Sequence, residues 1–212
     1  MAIQKDGPNG AFIGKVGSVF GYVMNGQNII RGPKKKKKRK LSEAELLNRK
    51  KMKVAGEFMG MIYPVVRYGY KDIAPKGSRV GPVQMAQSHV LKECMELNDR
   101  QEPFVNPEKV LVFRGKLSSP QECVVEQDGD NLKFRWRINS AYNDSSYKLN
   151  VLIYEIGVEA AIKIAVVDAN LGQCVISFPL LKNSKSPVHV YAGFVDVLEG
   201  VLSDSVYLGV VG

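Results

Sequence analysis

One stretch in the second half of the chain alternates apolar and polar residues with a period of two. Between positions 131 and 138, apolar side chains occupy every second place and cations lie between them. This pattern is typical of a strand with one buried face, and the apolar positions are Leu132, Phe134, Trp136 and Ile138. Eight apolar runs separated by turn signals lie at 109–116, 122–127, 131–138, 148–156, 160–168, 173–181, 188–197 and 201–211. We expect a β-sandwich over residues 108–212, immunoglobulin- or fibronectin-like, with a jelly roll as the alternative.

The first 33 residues are rich in glycine with β-favouring residues between the glycines. Asn25-Gly26 is a strong turn signal, because both central positions of a type I′ turn need positive φ. It predicts a hairpin of strands 19–24 and 27–31, which is marginal alone and needs a partner. We expect this arm, residues 1–33, to pack against another copy of the chain. The residues that we assign to this assembly arm are Phe12, Gly14, Lys15, Gly17, Gly21, Gly26 and Arg31.

Residues 34–107 have the pattern of a basic run followed by helices. Ser42 and Glu45 have the spacing of a capping box and predict a helix from position 43 that Pro64 ends or kinks. A second helix is predicted from Pro82, a good first helical residue, to about Leu97. The fold class is therefore α+β: a hairpin arm and two helices, then the β domain.

The segments GAFIGKVGSVFGY and NGQNIIRG, followed by a basic stretch and a helix, resemble the opening of an uncharacterised bacterial family of unknown function. LKFRW and the ending HVYAGFVDVLEGVLSDSVYLG resemble that family too. The resemblance implies an architecture, in which a glycine-rich hairpin leads into helices and a C-terminal β domain. It implies no activity, catalytic residue or cofactor. The unusually pure lysine run departs from the family's pattern.

Charge is split along the chain. Residues 1–80 carry 18 basic and 5 acidic residues, a net +13, whereas residues 81–212 carry 12 basic and 16 acidic residues, a net −4. A basic segment on an acidic body indicates an anionic partner, either nucleic acid or a neighbouring copy; the plain alternative is that the lysines only solvate a loop. The predicted polyanion-binding residues are Lys34, Lys35, Lys36, Lys37, Lys38, Arg39, Lys40, Arg49, Lys50 and Lys53.

Catalytic patterns are not evident in the sequence. The two histidines, His89 and His189, have no ligand-like neighbours at metal-binding spacing, and the three cysteines are far apart. We therefore expect no enzyme activity, no metal, no cofactor and no small-molecule substrate. The start lacks the apolar segment of a secretory signal and no run is long enough to span a membrane. The expected location is cytoplasmic, or within an assembled particle.

Two functional hypotheses follow from these patterns. The first is a non-enzymatic structural protein that self-assembles into a virion-type particle, tube or filament, with the basic segment contacting nucleic acid or another polyanion. The second is a monomeric β-sandwich binding module whose arm packs on its own body. A sequence-specific DNA regulator is weaker, since lysines contact phosphates rather than bases.

Overall fold

The computed structural model describes residues 3–4, 7, 10–24, 26–33, 40–75, 80–140, 146–184 and 186–212. Over these residues the chain is a mixed α+β protein in which all paired strands run antiparallel. The coarse fold class predicted from the sequence is therefore confirmed. The main parts of the fold are an N-terminal sheet, a helical layer and two larger sheets.

The N-terminal sheet has four strands in the order β1-β2-β3-β4. The strands are β1 (Ile3–Gln4), β2 (Phe12–Val16), β3 (Val19–Met24) and β4 (Gln27–Arg31). The predicted hairpin of 19–24 with 27–31 is confirmed, with Met24 paired to Gln27 across the turn. Gly26 has φ +78° in that turn, while Asn25 lies outside the described residues. The sequence prediction missed β1 and β2 as partners in this sheet.

The helical layer follows the prediction at Pro64 and Pro82 and differs from it in the number and length of its helices. Helix α1 (Glu43–Gly60) begins at the predicted cap and ends before Pro64, which lies at the start of a separate helix α2 (Tyr63–Gly69). The second predicted helix is too long. It consists of α3 (Pro82–His89) and a π-helical turn (Val90–Cys94), after which the chain enters strand β5 (Met95–Leu97).

The remaining elements form a small hairpin and two larger sheets. Strand β5 pairs with β6 (Pro103–Val105). The larger sheets contain β7 (Gln121–Asp128), β8 (Asn131–Arg137), β9 (Tyr147–Glu155), β10 (Glu159–Lys163), β11 (Gln173–Ser177), β12 (Val188–Asp196) and β13 (Val206–Val211), with a short helix α4 (Leu180–Asn183) after β11. Their orders are β10-β9-β12-β13 and β11-β8-β7.

Strands β9 and β12 are buried on both faces because each face contributes to a different core. One face of β9, with Leu149, Val151 and Ile153, packs in a single apolar cluster with three predicted inward residues of β8, namely Leu132, Phe134 and Trp136. The fourth, Ile138, lies beyond β8 and is exposed. The other face carries Leu152 and Tyr154, which pack with side chains from α1, α2 and α3. Double burial explains why these two strands read as nearly continuous apolar runs.

Residues 109–116 are not a strand, contrary to the prediction. Val110, Val112 and Phe113 are buried, as their apolar pattern indicates. Their backbone, however, bonds to groups outside any sheet: Arg114 N–H donates to the Gly69 carbonyl at 2.9 Å, and Val112 N–H donates to the Ser205 Oγ at 2.9 Å. The segment is an apolar strap between the end of α2 and the loop that precedes β13.

Three predicted strands are shorter than expected because other local structure interrupts them. Strand β10 ends at Lys163, and strand β11 ends at Ser177 before α4 begins. Strand β13 begins at Val206, since Ser203 and Ser205 before it are buried and bond to the backbone of other segments. The N–H groups of Ser203 and Ser205 donate to the carbonyls of Phe194 and Phe113 at 2.9 and 3.0 Å.

Candidate functional site

The N-terminal sheet exposes apolar side chains on both faces. Antiparallel register places Gly21 opposite Ile30 on one face and Phe20 opposite Arg31 on the other. Large apolar residues are exposed on both: Ile3, Ile13, Val16, Phe20, Val23 and Ile30. Within the described part of the chain, neither apolar cluster of the body includes a residue of this sheet. The arm therefore presents uncovered apolar surface.

Gly21 is buried in the N-terminal sheet, and the absence of a side chain there makes room for Phe12. A Cβ built at Gly21 would collide with the Phe12 carbonyl and lie 2.5 Å from carbons of its ring. Two other predicted arm glycines lie where the backbone has positive φ. Gly14 has φ +117° within β2, and Gly17 has φ +55° in the turn to β3. These positive values favour glycine, so the glycine pattern is explained by packing and turn geometry.

The described cations of the arm, Lys15 and Arg31, lie on the face that carries Phe20. The Lys15 ammonium sits 5.8 Å from the centroid of the Phe20 ring, within the range of a cation–π contact. Phe20, Tyr22, Arg31, Gly32 and Pro33 line a shallow groove of about 320 Å³. This face therefore combines aromatic rings with positive charge, whereas the described residues of the opposite face carry no charge.

The predicted polyanion-binding residues divide into two groups. Lys34, Lys35, Lys36, Lys37, Lys38 and Arg39 lie outside the described residues. Lys40, Arg49, Lys50 and Lys53 are all exposed, the last three on α1. The helix that carries them begins as predicted, since Ser42 Oγ accepts from the Glu45 N–H at 3.3 Å and Glu45 Oε2 accepts from the Ser42 N–H at 3.0 Å.

An acidic residue interrupts the basic side of α1. Lys53 Nζ lies 3.7 Å from Glu57 Oε1, one helical turn later, and both side chains are exposed. Glu57 also lines a groove with Lys50, Lys53 and Glu102. The i, i+4 spacing of Lys53 and Glu57 is readable from the sequence. The described face is basic with carboxylates at one edge.

An apolar groove lies beside that edge, between α1 and β6. Its volume is about 280 Å³, and it is lined by Val54, Glu57, Phe58, Phe104, Val105, Ile156 and Gly157. The sequence did not predict it, because its walls come from three segments far apart in the chain. The trace of this groove in the sequence is that two apolar residues, Phe104 and Ile156, lie next to turns; the structure shows that both are exposed.

Among the described residues, Cys94 is buried, while Cys123 and Cys174 are half-buried and lie against the same apolar cluster. No group of three or more His, Cys, Asp or Glu side chains in the described part of the chain is arranged to hold a metal ion. Burial raises the pKa of Cys94 and Cys174 to about 11 and that of Cys123 to about 12, so these thiols stay protonated at neutral pH. His89 Nε2 lies 3.2 Å from the Lys109 carbonyl oxygen, an ordinary packing contact.

Burial also lowers the pKa of His189. Its Nδ1 lies 2.9 Å from the Tyr207 hydroxyl, and the two rings are stacked at a tilt, 5.9 Å apart. This pair lies across the neighbouring strands β12 and β13. It belongs to the packing of the four-stranded sheet.

These features define an α+β protein of antiparallel sheets that carries an additional glycine-rich sheet at its N-terminus. The chain belongs to DUF6266, a family of unknown function, whose family model matches residues 11–209. The resemblance to an uncharacterised family is thus confirmed over nearly the whole chain. No curated protein and no solved structure matches it. None of the helices in the described ranges combines the length and the apolarity needed to cross a membrane.

Proposed function

We propose that this protein is a non-enzymatic structural protein that self-assembles into a particle, tube or filament. The observation that carries the proposal is the exposed apolar surface on both faces of the glycine-rich sheet. Monomeric soluble proteins rarely expose contiguous apolar patches larger than roughly a few hundred Å². A small sheet with two uncovered faces gains most by packing between bodies of neighbouring copies.

The body that the arm would join is, in this proposal, a β-sandwich, immunoglobulin- or fibronectin-like, with a jelly roll as second choice. Support comes from a four-stranded and a three-stranded antiparallel sheet that share one apolar cluster. Sandwiches of this size bury one face of each sheet against the other. Such bodies are rigid enough to serve as repeating units.

The basic segment supplies the second part of the proposal, contact with nucleic acid or another polyanion. Lys40, Arg49, Lys50 and Lys53 are exposed around the start of α1, directly after the lysine run at 34–38. Cations gathered near a capped helix attract phosphates without reading base sequence. An acidic protein surface is the alternative partner for the same charges.

A single substitution in the full-length protein tests the assembly role of the arm. Ile30 on β4 is 65% exposed, and Val175 on β11 is a matched position at 63%. Because neither side chain is buried, Ile30→Asp and Val175→Asp should both fold normally. We expect Ile30→Asp to shift the mass measured by light scattering toward the 23.5 kDa monomer, and Val175→Asp to leave it unchanged.

Deletion of residues 1–32 extends the same test. The truncated protein should remain folded and lose assembly, because the body keeps both of its apolar clusters. Wild-type protein that is monomeric at every concentration, at low and high salt, would exclude self-assembly. A truncated protein that still assembles would show that the arm is not the connector.

A further inference from the structure

One face of the N-terminal sheet places an aromatic ring between two cations. Lys15 of β2 is paired with Phe20 of β3, and Phe20 is paired with Arg31 of β4. Because directly paired residues point to the same side of a sheet, the three side chains form one row across three strands. Neighbouring strands are about 4.8 Å apart, so a cation lies on each side of the ring. All three side chains are exposed, that of Phe20 at 43%.

Tyr22 follows Phe20 on the same face, and both rings open onto one groove. Side chains two positions apart on a strand are separated by about 7 Å. Together with residues 31–33 the two rings line the groove of about 320 Å³. Gly32 keeps this end of the groove open, since nothing lies within 4 Å of a Cβ built there. The chain then continues directly into the lysine run at 34–38.

The positive charge of this face has no carboxylate beside it. The described part of the first 33 residues contains neither Asp nor Glu. The basic side of α1 differs in this respect, because Lys53 there lies 3.7 Å from a carboxylate oxygen of Glu57. The cation–π contact between Lys15 and Phe20 is weak at an exposed site, so a ligand can displace the ammonium from the ring. The face therefore favours a ligand that is both flat and anionic.

A nucleotide of a single strand has both properties in one unit. Its base offers a flat ring that stacks on an aromatic side chain, and its phosphate offers the negative charge. In a duplex the faces of the bases are covered by their neighbours in the stack, whereas unstacked bases of a single strand can lie on the aromatic side chains of a sheet. An acidic protein surface would match the two cations and leave the rings without a stacking partner.

We propose that this face binds single-stranded nucleic acid, with bases stacked on Phe20 and Tyr22 and phosphates held by Lys15 and Arg31. This binding rests on the polyanion contact proposed above and names its class of ligand. It is independent of base sequence, because every base has an aromatic face. The opposite face of the sheet carries Ile30 and no charge among its described residues, and it is left for contact with a neighbouring copy.

Fluorescence anisotropy of the full-length protein tests the stacking, with a short labelled oligothymidine and a labelled duplex of the same length as probes. Phe20→Leu removes the flat ring and keeps an apolar side chain. Val23→Leu is the matched control, since Val23 lies on the same strand, points to the opposite face and is 45% exposed. Phe20→Tyr keeps a ring at the position and tests for rescue.

We expect Phe20→Leu to weaken binding of oligothymidine by about 5- to 150-fold, which is the contribution of one stacked base. Binding of the duplex and the salt dependence of both probes should stay as in wild type, because the cations remain. Val23→Leu and Phe20→Tyr should retain the wild-type affinity for both probes.

The proposed stacking is overturned if Phe20→Leu weakens binding of both probes equally, or of neither while wild type binds both. It is also overturned if Phe20→Tyr loses as much affinity as Phe20→Leu. Each of these results leaves the polyanion contact intact. Dissociation of Phe20→Leu assemblies in a nucleic-acid-free preparation would assign the face to a neighbouring copy instead. A wild-type protein that binds neither probe overturns the stacking and the polyanion contact together.

Discussion

Trp136 connects the two larger sheets at the scale of single residues. It is 5% exposed, its indole N–H donates to the Ala169 carbonyl at 2.7 Å, and its ring meets Phe194 of β12 edge to face, with centroids 6.0 Å apart. The prediction that Trp136 is buried is therefore confirmed. Its neighbours in β8, Arg135 and Arg137, point outward and form ion pairs with Glu126 and Glu122 of β7.

Replacement of Trp136 is expected to be strongly destabilising. Trp136→Ala leaves a cavity between the sheets and an unpaired carbonyl at Ala169, so the free energy of unfolding should fall by about 3–5 kcal/mol. Urea unfolding measures the change, and Val175→Ala at an exposed site is the control. A loss below about 1 kcal/mol would contradict the contacts described for the indole. Native emission of this single tryptophan should also be blue-shifted.

Ser42 caps α1 with both hydrogen bonds of a capping box. Ser42→Ala removes the acceptor for the Glu45 N–H and should lower the free energy of unfolding by about 1 kcal/mol. Thermal or urea unfolding measures the loss. Ser42→Asp keeps an acceptor at the cap and should restore stability. Equal midpoints for wild type and Ser42→Ala would count against a stabilising cap.

The glycine-rich sheet is the element on which assembly is proposed to depend, and its order rests on close packing. Phe12 covers Gly21 so tightly that no side chain fits there. Gly32, just beyond β4, has nothing within 4 Å of a built Cβ and no positive φ. The two glycines thus provide a matched pair for substitution.

Gly21→Ala should destabilise the N-terminal sheet and leave the body intact. Overpacking of this kind costs about 1–3 kcal/mol, so amides of Phe12–Val16 and Val19–Met24 should exchange with deuterium faster. Amides of β9 and β12 should exchange at the wild-type rate, because their cores contain no residue of the sheet. Gly32→Ala should change neither. Equal protection of the sheet in Gly21→Ala and wild type would refute the packing of Phe12 on Gly21.

At the scale of the whole molecule, the uneven charge predicts salt-dependent binding of polyanions. The N-terminal 80 residues have a net +13 and the remainder −4. The logarithm of the binding constant falls by about 0.9 per log unit of salt for each phosphate contacted on duplex DNA. A protein that makes about six such contacts therefore loses roughly three to four decades of affinity between about 50 and 200 mM salt. Fluorescence anisotropy with a duplex of arbitrary sequence measures this dependence.

Replacing the five residues 34–38 by glutamine should abolish DNA binding and preserve assembly. A control of equal charge change replaces five lysines of the body, namely Lys92, Lys116, Lys133, Lys163 and Lys182, and should retain most of the affinity. Loss of assembly in a nucleic-acid-free preparation of the 34–38 variant would instead assign the run to an acidic surface of a neighbouring copy.

Local sequence determined the elements whose cause is local. The Asn25-Gly26 signal predicted the hairpin of β3 and β4, the Ser42–Glu45 spacing predicted the start of α1, and alternation predicted the buried face of β8. Each of these follows from backbone preferences or side-chain bonds within a few residues. The exposed cations of α1 were predicted for the same reason.

Only the tertiary structure decided the features that depend on distant partners. Residues 109–116 have the composition of a strand, yet the carbonyl of Gly69 and the hydroxyl of Ser205 take up their backbone donors, so no ladder forms. The α1–β6 groove likewise forms only because α1, β6 and the turn after β9 meet in the folded chain. The sequence by itself determines which residues prefer a turn, a helix or a buried face. Strand pairing and the hydrogen-bond partners of buried backbone groups involve residues far apart in the chain. They are therefore decided only when the chain packs.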